Sequence, residues 1–177
     1  FPKALVLGAR TGGMAKKLQG RFGIEMLVQA EFSEEMARHQ HGGLSVVADE
    51  EFLPFADAGL DLVVSPLSLH TTNDLPGVLA QIRRILKPDG LLLAGLFGLG
   101  TLTPLKDAFL AAEASYGQGA SQHVAPFTDV RDGGALLQRA GFALPVADAE
   151  PITVTYQNPM RLLADLRGMG EASVLAN

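Results

Sequence analysis

The sequence predicts an α/β fold, a doubly wound and mostly parallel sheet with helices on both faces. Three observations predict it. Short apolar runs alternate with helical patterns along most of the chain. The connections between them are short, and no Pro-rich or Ser-rich linker interrupts them. The first run, "ALVLG", passes directly into the glycine-rich stretch "ARTGG". Strands that alternate with helices across short turns build a parallel sheet, because a parallel pair needs a crossover element.

The elements follow in order. Ala4 to Gly8 forms a first strand, and a helix runs from about Gly13 to Gln19. Glu25 to Ala30, "EMLVQA", is a second strand. A helix begins after it, with Ser33 as N-cap and Glu35 in its first turn. Leu44 to Asp49 is a third strand, and Leu60 to Leu67 is a fourth. The clearest helix follows, where Leu75, Val78, Leu79, Ile82, Ile85 and Leu86 make one apolar stripe. Asn73 or Asp74 caps it, and Pro88, Asp89 and Gly90 end it as a tight turn. Leu91 to Phe97 is a fifth strand. A helix then starts with Thr103 as N-cap and Pro104 at its first position. "DVRDGGALLQRAGF" reads as another helix, Ile152 to Tyr156 as a late alternating strand, and "PMRLLADLRG" as a short helix.

The whole chain, 1–177, is expected to be one domain with a substantial core. A lid or substrate loop is expected within about 98–128, where Ser115 to Thr128 is the least regular part. The apolar fraction of 47% and net charge of −5 describe a globular chain. That acidity argues against nucleic acid as a partner, because no basic stripe can neutralise phosphates. The pairs Lys16-Lys17 and Arg83-Arg84 read as solvated helix faces. There is no cysteine, which excludes disulfides, thiolate metal sites and cysteine nucleophiles. No apolar run has the length of a membrane span, and no signal peptide is visible. The chain opens on Phe1, almost directly on its first strand, as a fragment would.

In open α/β sheets ligands bind beyond the carboxyl ends of the strands, where the strand order reverses. After the first strand come Gly8, Ala9, Arg10, Thr11, Gly12 and Gly13. Small residues there admit a ligand to the backbone and to the next helix N-terminus. The plainer alternative is tight packing. After the second strand comes Glu31, 19 residues past Gly12. Nucleotide-binding sheets place a ribose-binding acid about 20 residues on; the alternative is a solvated carboxylate. Phe32 follows it as a candidate cofactor contact. After the third strand, Asp49 can accept the exocyclic amine of adenine and the Glu50 backbone can meet a ring nitrogen. Glu51 reads as surface charge, and Phe52, Leu53 and Phe55 as core or adenine wall. After the fourth strand, Ser65 and Leu67 face the cofactor and His70 lies near the reacting group. A lone histidine is more often structural, yet it is the side chain best suited to take up a proton near neutral pH. His39 and His41 lack partners for a metal site and read as exposed. No metal site is expected.

The stretches "LVLGARTGG", "QAEFS", "VVADEEFLPF", "DLVVSPLSLH" and "NDLPGVLAQIRRILKPDG" together resemble the class I S-adenosylmethionine-dependent methyltransferases. More narrowly they resemble the branch of malonyl-acyl-carrier-protein methyltransferases and complex I assembly factors with arginine hydroxylase activity. "SQHVAPFT" and "DLRGMGE" extend the resemblance on the assembly-factor side. The resemblance implies a Rossmann-like, seven-stranded sheet whose last strand runs antiparallel. It implies that the final strand and an N-terminal lid helix are missing from this chain. It implies S-adenosylmethionine or S-adenosylhomocysteine as cofactor, with Gly8 to Gly12 at the methionine end. Glu31 would hold the ribose, Asp49 and Glu50 the adenine, and Ser65 to Leu67 the sulfonium side. The substrate would be a protein or a small molecule, a respiratory complex I subunit among the candidates. The compartment would be a bacterial cytoplasm or the mitochondrial matrix. Val6 stands where the family has aspartate, Arg10 where it has glycine, and Thr71 where it has tryptophan.

These departures set the competing expectations. Methyl transfer to a nucleophile is the leading one, carried mainly by alignment. Arginine hydroxylation, which needs an oxidant and a metal, and a non-catalytic assembly role are the alternatives. A NAD-dependent oxidoreductase is more distant, since G-x-G-x-x-G lacks its middle glycine here. Val6 removes a negative charge and Arg10 adds a positive one, so the turn is expected to favour S-adenosylhomocysteine over S-adenosylmethionine. Val6→Asp with Arg10→Gly is expected to restore S-adenosylmethionine binding.

Overall fold

The structure, a computed structural model, describes residues 1–116, 124 and 127–171. The chain divides into two compact units. The first joins Phe1–Phe97 to Arg131–Ala147, and the second holds the remaining described residues.

The first unit is built on five parallel strands: β1 (Lys3–Leu7), β2 (Met26–Glu31), β3 (Leu44–Val47), β4 (Leu60–Pro66) and β5 (Leu86–Gly95), in spatial order β3-β2-β1-β4-β5. Helices α1 (Gly13–Leu18), α2 (Glu34–Arg38) and α3 (Leu75–Ile85) provide crossovers, and α5 (Val130–Arg139) lies almost wholly in this unit. The second unit contains α4 (Thr103–Tyr116) and α6 (Pro159–Met169). The sequence-predicted α/β class and parallel sheet are therefore present.

The central strand explains why the sheet is buried on both faces. In β1 the side chains alternate, with Leu5 and Leu7 on one side and Ala4 and Val6 on the other, and all four are fully buried. Leu5 and Leu7 join the larger cluster with Val28, Val63 and the stripe Val78, Leu79, Ile82 and Ile85 of α3. Leu136, Leu137 and Phe142 pack against that cluster. Each fully buried leucine or isoleucine contributes about 1.5–3 kcal/mol. On the opposite face Ala4, Val6, Leu27, Leu62 and Val64 pack with Ala15 of α1. A strand buried on both faces must read as a continuous apolar run, as "ALVL" does.

The caps follow the sequence closely. Ser33 accepts the Met36 amide, and Asp74 Oδ1 accepts the Gly77 amide at 2.9 Å, so Asp74 is the cap of α3. Asn158 caps α6, with Pro159 at its first position, and Gly170 ends it in the left-handed conformation. Thr103 differs: it is the first residue of α4, and its hydroxyl donates to Gly100 O.

Two stretches differ from the sequence reading. Helix α3 ends at Ile85, before Pro88, and the expected turn lies within β5. The register jumps from Leu60↔Leu86 to Leu62↔Leu91, so Lys87 to Gly90 bulge out of the ladder. Asp89 there takes φ +61°. Proline cannot donate to a ladder and is accommodated at bulges. The expected strand Ile152 to Tyr156 is not a strand. Its apolar side chains, Ile152 and Val154, are exposed, and no described strand pairs with it. Alternation supplies a face but not a partner edge. Among the described residues the sheet has five strands rather than seven. Within the expected lid or substrate loop, 98–128, helix α4 occupies Thr103–Tyr116, residues 117–123 and 125–126 lie outside the described residues, and at its end Thr128 bridges Gly98.

Position 6 is settled by packing. Val6 is fully buried in the apolar cluster beneath α1, so a carboxylate there would be desolvated. This corrects the expectation that Val6→Asp simply restores a ligand charge. Val6→Asp is expected to lower the unfolding free energy by about 3 kcal/mol or more, read by urea denaturation, whereas Val6→Ala should cost less. A Val6→Asp protein as stable as wild type would contradict this placement.

Candidate functional site

The strand order reverses between β1 and β4, and the crevice at such a switch point is where open α/β sheets bind ligands. The glycine turn after β1 and the segment after β4 flank it. A cleft of about 340 Å³ opens there, lined by residues that include Gly8, Ala9, Arg10, Gly13, Lys17 and Pro66. A larger cleft of about 520 Å³ lies in the second unit, around Tyr156, Arg161 and Asp165. It stands at no strand end, so the smaller one is the candidate site.

The turn itself is held by polar ties. Gly8 and Gly12 both have positive φ, +66° and +85°. A Cβ on Gly8 would collide with the Ser68 side chain, and one on Gly12 would come within 2.8 Å of Gln29 Oε1. Arg10 takes φ +48°, a conformation better suited to glycine. It stays there because both of its backbone polar groups are bound. Its amide donates to Glu31 Oε2 at 2.6 Å, and its carbonyl accepts from Gln40 Nε2 at 2.8 Å. The Arg10 guanidinium donates across to Leu67 O at 3.4 Å. Leu67 also has positive φ, +60°.

Glu31 ends β2 and is 8% exposed. Its other oxygen accepts the Ser33 amide at 3.1 Å. Each carboxylate oxygen can accept more than one hydrogen bond, so capacity for two hydroxyls remains. Phe32, next to it, is exposed. Asp49 folds back on its own loop, where Oδ1 accepts the Glu51 amide at 2.8 Å. The Glu50 carboxyl turns toward the glycine turn, 3.2 Å from where a Gly8 Cβ would stand, and hydrogen-bonds Ser68. Burial pushes the Glu50 carboxyl above the ordinary carboxylate range. The charges of Glu31 and Asp49 push the same way, while backbone and Ser68 hydrogen bonds pull against them.

Ser65 is fully buried and shares a 2.9 Å hydrogen bond with Ser68, beneath the exposed Leu67. His70 stands on a single 3₁₀ turn, Leu69–Thr71, with its ring edge-on to Phe97 at 4.6 Å between centroids. Of the expected site residues Gly8, Ala9 and Arg10 line the cleft; Glu31 and Leu67 are joined to Arg10 by hydrogen bonds, Glu50 stands against Gly8, and Ser65 is buried against Ser68. His39 and His41 are exposed. Among the described residues no group of three or more metal-ligating side chains is gathered.

Several contributors are not evident in the sequence reading. Gln29 is fully buried in β2 and donates to His41 O, fastening that loop beside Gly12. Its signal was a lone polar residue inside "MLVQA". Gln40 gave no signal, because its partner is the Arg10 carbonyl. Ser68 was visible only as part of "SPLSLH". Glu51 is not a free surface charge: it accepts the Asn73 backbone and side-chain amides, while Gln81 clamps its loop through Glu51 O and the Leu53 amide.

With that geometry in place, the relatives can be set beside it. A methyltransferase-domain family profile matches residues 5–94. The chain is 44% identical to the mitochondrial arginine-hydroxylase NDUFAF5 of Homo sapiens, covering 100% of this chain and 52% of that protein. It is 39% identical to the malonyl-[acyl-carrier protein] O-methyltransferase of Gallionella capsiferriformans, covering 75% of this chain and 44% of the other. The chain spans about half the length of the curated relatives it matches. In fold it is similar to the putative methyltransferase in complex with the Trm112 activator of Haloferax volcanii, with TM-score 0.62, 21% identity, and 79% and 60% of the two chains covered. A S-adenosylmethionine-dependent methyltransferase from Thermotoga maritima gives TM-score 0.59 at 24% identity, with 78% and 63% covered. Profile, relatives and sheet topology agree: the chain belongs to the class I S-adenosylmethionine-dependent methyltransferase family.

Proposed function

We propose that this chain binds S-adenosylmethionine or S-adenosylhomocysteine in the crevice between β1 and β4, and that its reaction is methyl transfer to a protein or small-molecule nucleophile. The observation that carries the reading is the glycine turn at the switch point, braced by the buried Glu31 carboxylate. The residues fit the group. Gly8, Ala9 and Gly13 line the cleft, the Cβ position of Gly13 is open, and Glu31 keeps acceptor capacity behind the turn. When bound, S-adenosylmethionine supplies an electrophilic methyl on a sulfonium. Glu31 would accept the ribose hydroxyls, Asp49 the adenine amine, and the Glu50 backbone a ring nitrogen. Ala9 and Gly12 would admit the methionine end, with Phe32 as an apolar wall. Leu67 would border the sulfonium side and Ser65 would support it from below. Arg10 would pair with the methionine carboxylate, since guanidinium and carboxylate match well. His70 would accept a proton from the nucleophile.

A second reading rests on the 44% identity to the arginine-hydroxylase across this whole chain. In it the same crevice serves hydroxylation or an assembly role on a respiratory complex I subunit. A mitochondrial matrix or a bacterial cytoplasm suits either reading. Among the described residues no helix is long and apolar enough to cross a membrane. A nicotinamide-dependent activity is the weakest reading, because Arg10 fills the middle glycine position of its fingerprint.

The Arg10 charge opposes a sulfonium. At an effective dielectric of about 20, a unit charge 4 Å away acts with about 4 kcal/mol before desolvation. Calorimetry is therefore expected to show tighter binding of S-adenosylhomocysteine than of S-adenosylmethionine, and Arg10→Gly should narrow the gap. Low-micromolar S-adenosylmethionine binding by wild type, with no gain from Arg10→Gly, would overturn this account of the turn. Glu31→Ala should weaken either ligand by about 1.5–3 kcal/mol; equal affinity would remove Glu31 from the site. On the true substrate His70→Ala should lower kcat while leaving cofactor Kd unchanged. Unaltered kcat would return His70 to a structural role.

A further inference from the structure

Glu50 enters the site by two routes. Its backbone belongs to the loop after β3, which the family resemblance assigns to adenine. Its carboxyl does not stay there. Oε1 lies over Gly8, and the side chain hydrogen-bonds Ser68, which in turn meets Ser65 Oγ at 2.9 Å and reaches Leu7 O at 3.5 Å. The carboxyl thereby adjoins the end of β1 and the segment after β4. It stands against Gly8, the start of the turn assigned to the methionine end. The family's usual acid in that turn is absent, and Val6 faces the apolar cluster instead.

We propose that Glu50 is the specificity-determining acid for the cationic end of the adenosyl ligand, held in place by Ser68. This rests on the adenosyl reading above and deepens it. Arg10 and Glu50 then act in opposite senses at one turn. Arg10 favours the methionine carboxylate and disfavours the sulfonium. Glu50 favours the ammonium and the sulfonium. The plain competitor is a packing role, in which Glu50 only satisfies the buried Ser68 hydroxyl.

Burial supports the charge role over the packing one. A half-buried carboxyl near Glu31 and Asp49 is disfavoured in its ionised form. If Glu50 only had to satisfy Ser68, a neutral amide would do so without that cost. A cation beside it offsets the cost directly.

The experiment is calorimetric titration of the full chain, wild type and Glu50→Gln, with three ligands. S-adenosylmethionine carries ammonium and sulfonium, S-adenosylhomocysteine carries ammonium alone, and 5′-methylthioadenosine carries neither. Glutamine keeps the shape and can still hydrogen-bond Ser68. The expected result is graded. Affinity falls at least tenfold for the first ligand, several-fold for the second, and less than twofold for the third. Ser68→Ala, which releases the carboxyl without removing it, should give the same order with smaller losses. Equal losses for all three ligands, or none in Glu50→Gln, overturn the proposal while leaving the adenosyl reading intact. Wild type that binds none of the three overturns both.

Discussion

The crevice depends on one carboxylate. Glu31 closes β2, and its two oxygens accept the amides of Arg10 and Ser33. The first bond joins the end of β2 to the turn after β1. The second starts the chain into α2, whose own cap is Ser33. Charge-assisted bonds of this kind are shorter and stronger than neutral ones, and the low exposure of Glu31 keeps water from competing. This is why an arginine can hold a left-handed conformation where glycine would be easier. The strain of about 1–3 kcal/mol for such a residue persists only when its surroundings over-determine it. Here Glu31 fixes the Arg10 amide and Gln40 fixes its carbonyl.

The other side of the crevice is braced by the same kind of tie. Glu51 holds Asn73, and Gln81 of α3 reaches back to Glu51 O while accepting the Leu53 amide. The loop after β3 is therefore fastened to the start of α3, just beyond His70. Non-local hydrogen bonds of this sort add only modestly to net stability but fix geometry. A ligand that orders the loop at Asp49 and Glu50 would meet a surface already joined to the segment carrying His70.

The sheet was legible from sequence because its signals are local. The run "ALVL" is buried on both faces, and the stripe from Leu75 to Ile85 has one helical period. The strand ends, and with them Gly8, Glu31, Asp49 and Ser65, follow from those elements. What escaped is decided at a distance. Ile152 to Tyr156 alternates as a strand does, yet pairing requires an edge that no local pattern announces. Pro88 and Asp89 carry a turn signal that is real, but the ladder resumes around it as a bulge. Gln29 and Gln40 act on carbonyls 12 and 30 residues away.

The charge of the site is a related case. Judged from the turn alone, replacing an acid by Val6 and a glycine by Arg10 shifts the charge two units toward repelling a cation. The fold alters that sum in two ways. Val6 points into the apolar cluster on the α1 face, where a carboxylate would be desolvated. Glu50, 42 residues past Gly8 in the sequence, places a carboxyl against it through a different strand end. Its ionisation is opposed by burial and by Glu31 and Asp49, so that carboxyl counts most when a cation sits beside it. The local field at the turn is thus a balance between Arg10 and a cluster of acids contributed by β2 and the loop after β3. The charge around such a turn is set by groups on other strand ends as well as by the turn's own residues. The topology brings those groups within reach of each other, because the order β3-β2-β1 sets the ends of these three strands side by side.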